Sequence, residues 1–338
     1  MRSECLTQRG CLMNAFNAMV RMVATGVLMG LIGSAAAQQN YPNKPIRFIT
    51  PYPPGGATTI VARLIGQKLT DSWGQQVLVD NRPGGNTIIG SEALVRSPPD
   101  GYTIMLTTTI HVTNASLIPY LPYDSVKDFA AVATVSRSEY VLVLSPSVPA
   151  NNLQGFIALA KSRPGQLNFG SAGTGGPQHL AGELFSMMAG IKMQHIPYKG
   201  GGQVFADLIS GQVQLLFSNT FNAVPHIKNG QLKAIAITGE TRSSALPQVP
   251  TFAEAGLPGF EVRTWYGVFA PAGTPKAVID KLSTEIAKIM ALPDIKERLD
   301  SLGAEPFIST SDQFASLVRA DIARYAKIIK SANIKLEN

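Results

Sequence analysis

The sequence predicts an α/β protein built of two lobes. Three observations carry that reading. Strand-like apolar runs alternate with segments of helical periodicity; the strand runs are apolar almost throughout; and two long strand-like stretches separate one alternating series from the next. Near-continuous apolar strands imply a parallel sheet covered on both faces. The 338 residues, 45% hydrophobic and 15% charged, have a globular composition. They suffice for about two domains, each with its own core.

Residues 1–37 stand apart from this pattern. Arg2, Arg9 and Arg21 precede the apolar stretch MVATGVLMGLIGSAAA, which ends at Ala35-Ala36-Ala37. A basic start, a short apolar core and small residues at the end describe a secretory signal peptide cut after Ala37. The apolar part is too short for a membrane span of roughly 20 residues. Both cysteines, Cys5 and Cys11, lie in this leader. The chain after it therefore has no disulfide, thiolate nucleophile or Cys metal site.

From there the elements come in order. PIRFIT is a strand, followed by the turn PYPPGG and the helix TTIVARLIGQKLTDSWG, with Ile60, Val61, Leu64, Ile65 and Leu69 at helical spacing. QQVLVDN is a strand, NTIIGSEALVRS a helix stopped by Pro98 and Pro99, and GYTIMLTTT a third strand. FAAVATVSRSEYVLVLSP is long enough to cross between lobes. A second series follows: helix NNLQGFIALAKSRPG, strand QLNFGSAG, helix PQHLAGELFSMMAG, strand MQHIPYKGG, helix QVFADLISGQ, strand VQLLFSNT, short helix NAVPHIKNG and strand LKAIAIT. A Pro-rich connector, Leu246 to Phe260, leads to the second long strand, FEVRTWYGVFAP. Three helical segments end the chain.

Two glycine-rich turns hold matching places, PPGGATT in the first series and GSAGTGGPQHL in the second. Each ends a strand and opens a helix, where open α/β sheets bind ligands. A helix N-terminus has unpaired N–H groups and a partial positive charge. Glycine lets a ligand approach the backbone closely. The paired turns therefore predict an anion clamped from two sides, with hydroxyls from Thr58, Thr59, Ser171 and Thr174 assisting.

Other chemistries fit less well. The formal charge of +7 is scattered, with no basic run, so it reads as solvating and not as a nucleic-acid surface. Gly176 is followed by Pro177, which rules out a P-loop; Gln178 breaks a dinucleotide fingerprint; Phe169 breaks a nucleophile elbow around Ser171. No two of the four histidines have local metal-ligand spacing. His179 is expected to cap or pack, Asp124 and Asp128 to cap a loop, and Trp265 to serve the core or hinge. His111, after the third strand, could touch a ligand.

The stretches IRFITPYPPGGATTIVARLIG, VDNRPGG, PPDGYTIML, LPYDSVKDFAAVATV, SAGTGGPQHLAGELF, PYKGGGQ, VPTFAEAGLPGF and FAPAGTP resemble the Bug family, the substrate-binding proteins of tripartite tricarboxylate transporters. The resemblance covers nearly all of the chain after the leader. It implies a type II periplasmic-binding-protein fold: lobe 1 from residues 38–138 and 262–338, lobe 2 from 139–261, and a hinged cleft between them. It implies a monomeric, non-enzymatic periplasmic receptor for a small organic carboxylate, partnered by membrane permease subunits, with no cofactor or metal and no nucleic acid. The ligand carboxylate would be held by Gly55, Gly56, Ala57 and Thr58 on one side, beside Tyr52 and Thr59. Ser171, Gly173, Thr174 and Gly175 would hold it on the other, with Thr108, Tyr198 and Asn219 as lesser contacts. One departure stands out: Thr59 occupies the place where the family's first turn usually has Asp. That argues mildly against an amino-acid ligand. The rival readings are a periplasmic enzyme using Ser171 or His179 on a carboxylated substrate, and a sensory protein that presents its ligand.

Overall fold

β1 (Ile46–Thr50) is an apolar strand with Ile46, Phe48 and Ile49 fully buried. The structure, a computed structural model, describes residues 41–198, 201–260, 262–301, 303–332 and 334. The expected leader, residues 1–37, lies outside them. The chain divides into two units, Met1–Asn43 and Lys44–Asn338, and the architecture below is that of the second.

After β1, the turn Pro51–Gly56 opens α1 (Ala57–Trp73), which buries Val61, Ala62, Ile65 and Leu69 on one face and stops at Gly74 in the left-handed region. β2 (Val77–Asn81), α2 (Ile88–Val95), β3 (Thr103–Thr108) and α3 (Ile110–Leu117) follow. β1 lies parallel to both β2 and β3. β4 (Phe129–Leu144) is then a single strand of 16 residues. The second series comprises α4 (Leu153–Ser162), β5 (Asn168–Ser171), α5 (Pro177–Ala189), β6 (Gln194–Pro197), α6 (Gly201–Ser210), β7 (Leu215–Asn219), α7 (Thr220–Lys228) and β8 (Lys233–Ile237). β9 (Arg263–Pro271), α8 (Lys276–Ala291), α9 (Pro293–Ser301), β10 (Ala304–Pro306) and α10 (Ser311–Ser331) complete the chain.

One sheet runs through these elements in the order β2-β1-β3-β9-β4-β7-β5-β6, with β8 and β10 also pairing β4. It is mixed, which corrects the expectation of a parallel sheet. The outer pairs β1·β2, β1·β3, β5·β6 and β5·β7 are parallel, whereas β9 and β4 run antiparallel to their neighbours in the middle. The apolar runs of β4 and β9 reflect burial on both faces, which antiparallel central strands share with parallel ones.

β4 changes partners along its length. It pairs β9 as far as Glu139↔Arg263, then β7 from Tyr140↔Asn219 and β8 from Val141↔Ile237. β9 keeps its partners along its length: among the described residues its nine residues pair β3 and β4. The sequence pattern also missed α3, eight residues that begin two positions after β3 ends, and the three-residue β10. Phenylalanines dominate the interior. Phe185 of α5 and Phe217 of β7 pack edge-to-face and tilted with Phe252 and Phe260, while Phe269, Phe314 and Trp265 fill the space between β9 and α10.

Candidate functional site

The first turn is braced from behind. Asn81, at the end of β2, donates its side-chain amide to Thr50 Oγ1 (2.6 Å), Thr59 Oγ1 (2.8 Å) and the Tyr52 carbonyl (2.9 Å). Thr59 Oγ1 in turn donates to the Pro53 carbonyl at 3.3 Å and is fully buried. Thr59 thus faces the scaffold and holds the turn in shape. Tyr52 reaches across to β3, where its hydroxyl hydrogen-bonds Thr108 Oγ1 (2.7 Å) and Thr107 Oγ1 (3.2 Å) and accepts from Thr108 N (3.2 Å). Gly55 adopts φ +91°, a value L side chains rarely take. Ile60 N bonds the Gly56 carbonyl, but among the described residues the N–H groups of Gly55, Gly56, Ala57, Thr58 and Thr59 have no partner. These unpaired donors lie together at the start of a 17-residue helix, a place where N–H groups and the helix dipole favour an anion.

The second turn is more fully occupied by the protein itself. Ala172 N donates to Gln178 Oε1 (2.6 Å), Gly173 N to Ser171 Oγ (3.2 Å) and Gly175 N to His179 Nδ1 (3.0 Å). Ser171, fully buried, donates to the Gly173 carbonyl at 2.9 Å and lies 2.6 Å from His195 Nε2. Ser171 and Gly175 therefore shape the turn from within. Thr174 N has no partner among the described residues.

A cavity of about 280 Å³ draws together the predicted residues Thr108, Gly173, Thr174 and Asn219. It is also lined by Asn86, Ile110, Tyr140, Ala172, Gly176, Pro177, Gln178, Thr264 and Tyr266, none of which is charged. Tyr52, Gly55, Gly56, Ala57, Thr58 and Thr59 are not among the lining residues; the first turn is tied to the wall by the Tyr52–Thr108 hydrogen bond. Asn86 arrives by a strained route. Gly84, Gly85, Asn86 and Thr87 all have positive φ, the last at +77° on a β-branched residue. Such a backbone costs about 1–3 kcal/mol and persists only when its surroundings enforce it. Asn114 does so, donating to the Asn86 carbonyl (2.7 Å) and accepting from Asn86 Nδ2 (2.6 Å). Tyr198 points elsewhere: its hydroxyl donates to Asp207 Oδ2 at 2.6 Å, and desolvation followed by that carboxylate pushes its pKa up to about 12.

Comparison with known proteins decides the family. The pattern of the tripartite tricarboxylate transporter family receptor matches residues 61–334. The chain belongs to that receptor family. Protein BugT of Bordetella pertussis is 36% identical over 324 residues, covering 94% of this chain and 99% of BugT. Among solved structures, Rpa4515 of R. palustris with adipate has 33% identity and a TM-score of 0.77, covering 88% of this chain and 100% of that one. MatC of Rhodopseudomonas palustris with bound malate has 30% identity and a TM-score of 0.73, covering 86% and 100%. The fold is the two-lobed α/β architecture of periplasmic binding proteins, and the chain is a solute-binding receptor, not an enzyme.

In this receptor the residues weighed for catalysis have supporting roles. His179 and His195 stack with centroids 3.5 Å apart behind the second turn. His179 Nδ1 accepts from Gly175 N, so its proton sits on Nε2, 3.6 Å from Glu183 Oε1. Desolvation, with His179 alongside, pushes His195 down to about 3. His111 is fully buried against Phe129 and Phe269, and burial pushes it down to about 4. Asp124 accepts from Val126 N and Lys127 N, and Asp128 accepts from Asp124 N, closing a loop. Trp265 donates to Asp321 Oδ2 (2.8 Å) within the core. Among the described residues no group of His, Cys, Asp and Glu could hold a metal, and no helix is long and apolar enough to cross a membrane.

Proposed function

We propose that this receptor captures a small organic carboxylate between two lobes in the periplasm and hands it to the permease of a tripartite transporter. The observation that carries the proposal is the row of unpartnered amides from Gly55 to Thr59 at the start of α1. A carboxylate accepting from several of them meets N–H donors and the positive end of a helix without needing a cation. The uncharged cavity adds Thr174 N and the side chain of Asn219, which has no hydrogen-bond partner among the described residues. Adipate in Rpa4515 and malate in MatC support the same ligand class.

In this reading Gly55, Gly56, Ala57 and Thr58 bind from one lobe, and Gly173, Thr174 and Asn219 from the other. Tyr52, Thr59, Thr108, Ser171 and Gly175 hold the turns in place. The lobes divide at 138/139 and 261/262; the change of β4 partner between Glu139 and Tyr140 supports the first division. Family membership supports export and the permease partner, and the basic, apolar and small-residue pattern of residues 1–37 supports cleavage after Ala37. One helix terminus contributes roughly 0.3–2 kcal/mol, whereas micromolar affinity needs about 8. Several donors and closure of the lobes must act together.

A thermal-shift screen against mono-, di- and tricarboxylates tests the proposal. A true ligand at a hundredfold excess over its Kd stabilises the folded protein by about 2.7 kcal/mol. It is also recovered chemically unchanged. If no carboxylate raises the melting temperature, the proposal fails.

A further inference from the structure

Two tyrosines, Tyr140 and Tyr266, line the cavity, with Tyr52 behind its Thr108, and the three are not equivalent. Tyr52 is engaged with Thr107 and Thr108, and Tyr140 shares a hydrogen bond with Thr264 Oγ1 at 2.7 Å. Tyr266 lies close enough to both to feel them electrostatically, and its side chain lines the cavity. Only 6% of Tyr266 is exposed, yet among the described residues its hydroxyl has no hydrogen-bond partner. Unlike the hydroxyls of Tyr123 and Ser136, that of Tyr266 is not sealed within the protein. An unengaged hydroxyl open to a cavity is available to whatever fills it.

The backbone makes this a fixed feature. Tyr266 sits in mid-sheet, opposite Thr108 on β3 and Ser136 on β4. Strand alternation sends Thr264 and Tyr266 toward the cavity and Trp265 to the opposite face, where it meets Phe314 and Asp321. Burial raises the Tyr266 pKa, so the phenol stays protonated and neutral. The rest of the lining is neutral too. A second ionised carboxylate beside Tyr266 would be desolvated with no counter-charge among the lining residues. A hydroxyl or carbonyl oxygen needs none.

Building on the carboxylate reading above, we propose that Tyr266 is a specificity residue, hydrogen-bonding an uncharged oxygen on the ligand's carbon chain. The preferred ligands are then hydroxy- or oxo-substituted carboxylates, in preference to plain monocarboxylates or unsubstituted dicarboxylates.

Calorimetric titration of the purified protein tests this, using matched four-carbon and six-carbon acids: the plain monocarboxylate, its 2-hydroxy, 3-hydroxy and 2-oxo forms, and the dicarboxylate. The wild type is expected to bind at least one hydroxy or oxo member about tenfold more tightly than its unsubstituted partners. Tyr266→Phe is expected to remove that preference, weakening the substituted ligand about tenfold while changing the plain acid less than about twofold. Equal weakening of every acid would make Tyr266 a packing residue and overturn the inference. So would a wild type that binds the unsubstituted dicarboxylate most tightly. In either case the carboxylate reading survives. A wild type that binds none of these acids, and no other carboxylate, would remove both. If the variant does not fold, the wild-type preference alone decides.

Discussion

Thr59 shows how a single hydroxyl can be read two ways. From its position in the first turn it is a ligand contact; in the structure it is fully buried between Asn81 Nδ2 and the Pro53 carbonyl. The two roles predict different losses. Thr59→Val keeps the shape and removes the hydroxyl, leaving the Pro53 carbonyl without that donor. The expected result is a stability loss of about 1–3 kcal/mol in urea melts, with affinity falling only as the turn loosens. A large loss of affinity at unchanged stability would return Thr59 to the ligand. Two histidines and Glu139 contribute to the pH response with opposite signs. Folded His195 and His111 titrate at about 3 and about 4, against 6.5 for the free side chain. Below 6.5 the unfolded chain therefore takes up protons that the folded chain refuses. Their stabilising effect is complete above that value and is lost as pH falls toward 4 and 3. Glu139 has the opposite sign. Burial, then Glu305, raises it to about 7 from 4.5, so its contribution favours low pH and fades as pH rises through 7. Glu139→Gln is thus expected to raise the melting temperature relative to wild type at about pH 8 but not at about pH 5. An equal change at both would sink this assignment.

At the scale of elements, the two turns that open α1 and α5 differ in how they can be tested. Gly56 has φ −74°, and a Cβ there would meet nothing nearer than the Pro53 carbonyl at 3.9 Å. Gly56→Val should therefore fold normally while placing methyl groups over the unpaired amides, and calorimetry is expected to find binding abolished at a nearly unchanged melting temperature. Gly182, in α5, is different: a Cβ would run into the Phe169 ring on β5. Gly182→Ala should cost about 1–3 kcal/mol through overpacking, despite alanine's better helix propensity, as read by denaturant melts. The order of strands and long helices was legible because their apolar residues repeat at the right spacing. α3 was not: Ile110, Val112 and Thr113 are β-branched, its eight residues are few, and it follows β3 with no break in apolar character. Nor was the direction of β4 and β9, since an apolar run does not distinguish parallel from antiparallel burial.

For the molecule as a whole, the length of β4 was visible in the sequence, while the identity of the cavity wall was not. Asn86, Ile110, Tyr140, Gln178 and the β9 pair Thr264 and Tyr266 come from five separate segments and meet because β3, β9, β4, β7 and β5 follow one another in the sheet. The Gly-rich turns announced themselves because backbone exposure demands glycine locally; a tyrosine in mid-strand gives no comparable signal. Nor did the sequence show that Asn86 would be carried to the wall by a run of left-handed residues clamped by Asn114.

The neutrality of that wall reaches beyond recognition. Dissolved ions weaken attraction between exposed opposite charges, shrinking its range from roughly 30 Å in dilute medium to 3 Å in molar electrolyte. Here the grip on an anion would come from amide dipoles shut in by closure of the lobes instead of facing cations. Its dissociation constant should therefore drift by less than about threefold between dilute buffer and near-molar sodium chloride, as titration at several ionic strengths would reveal. A scavenger built so would work alike in fresh and salty surroundings.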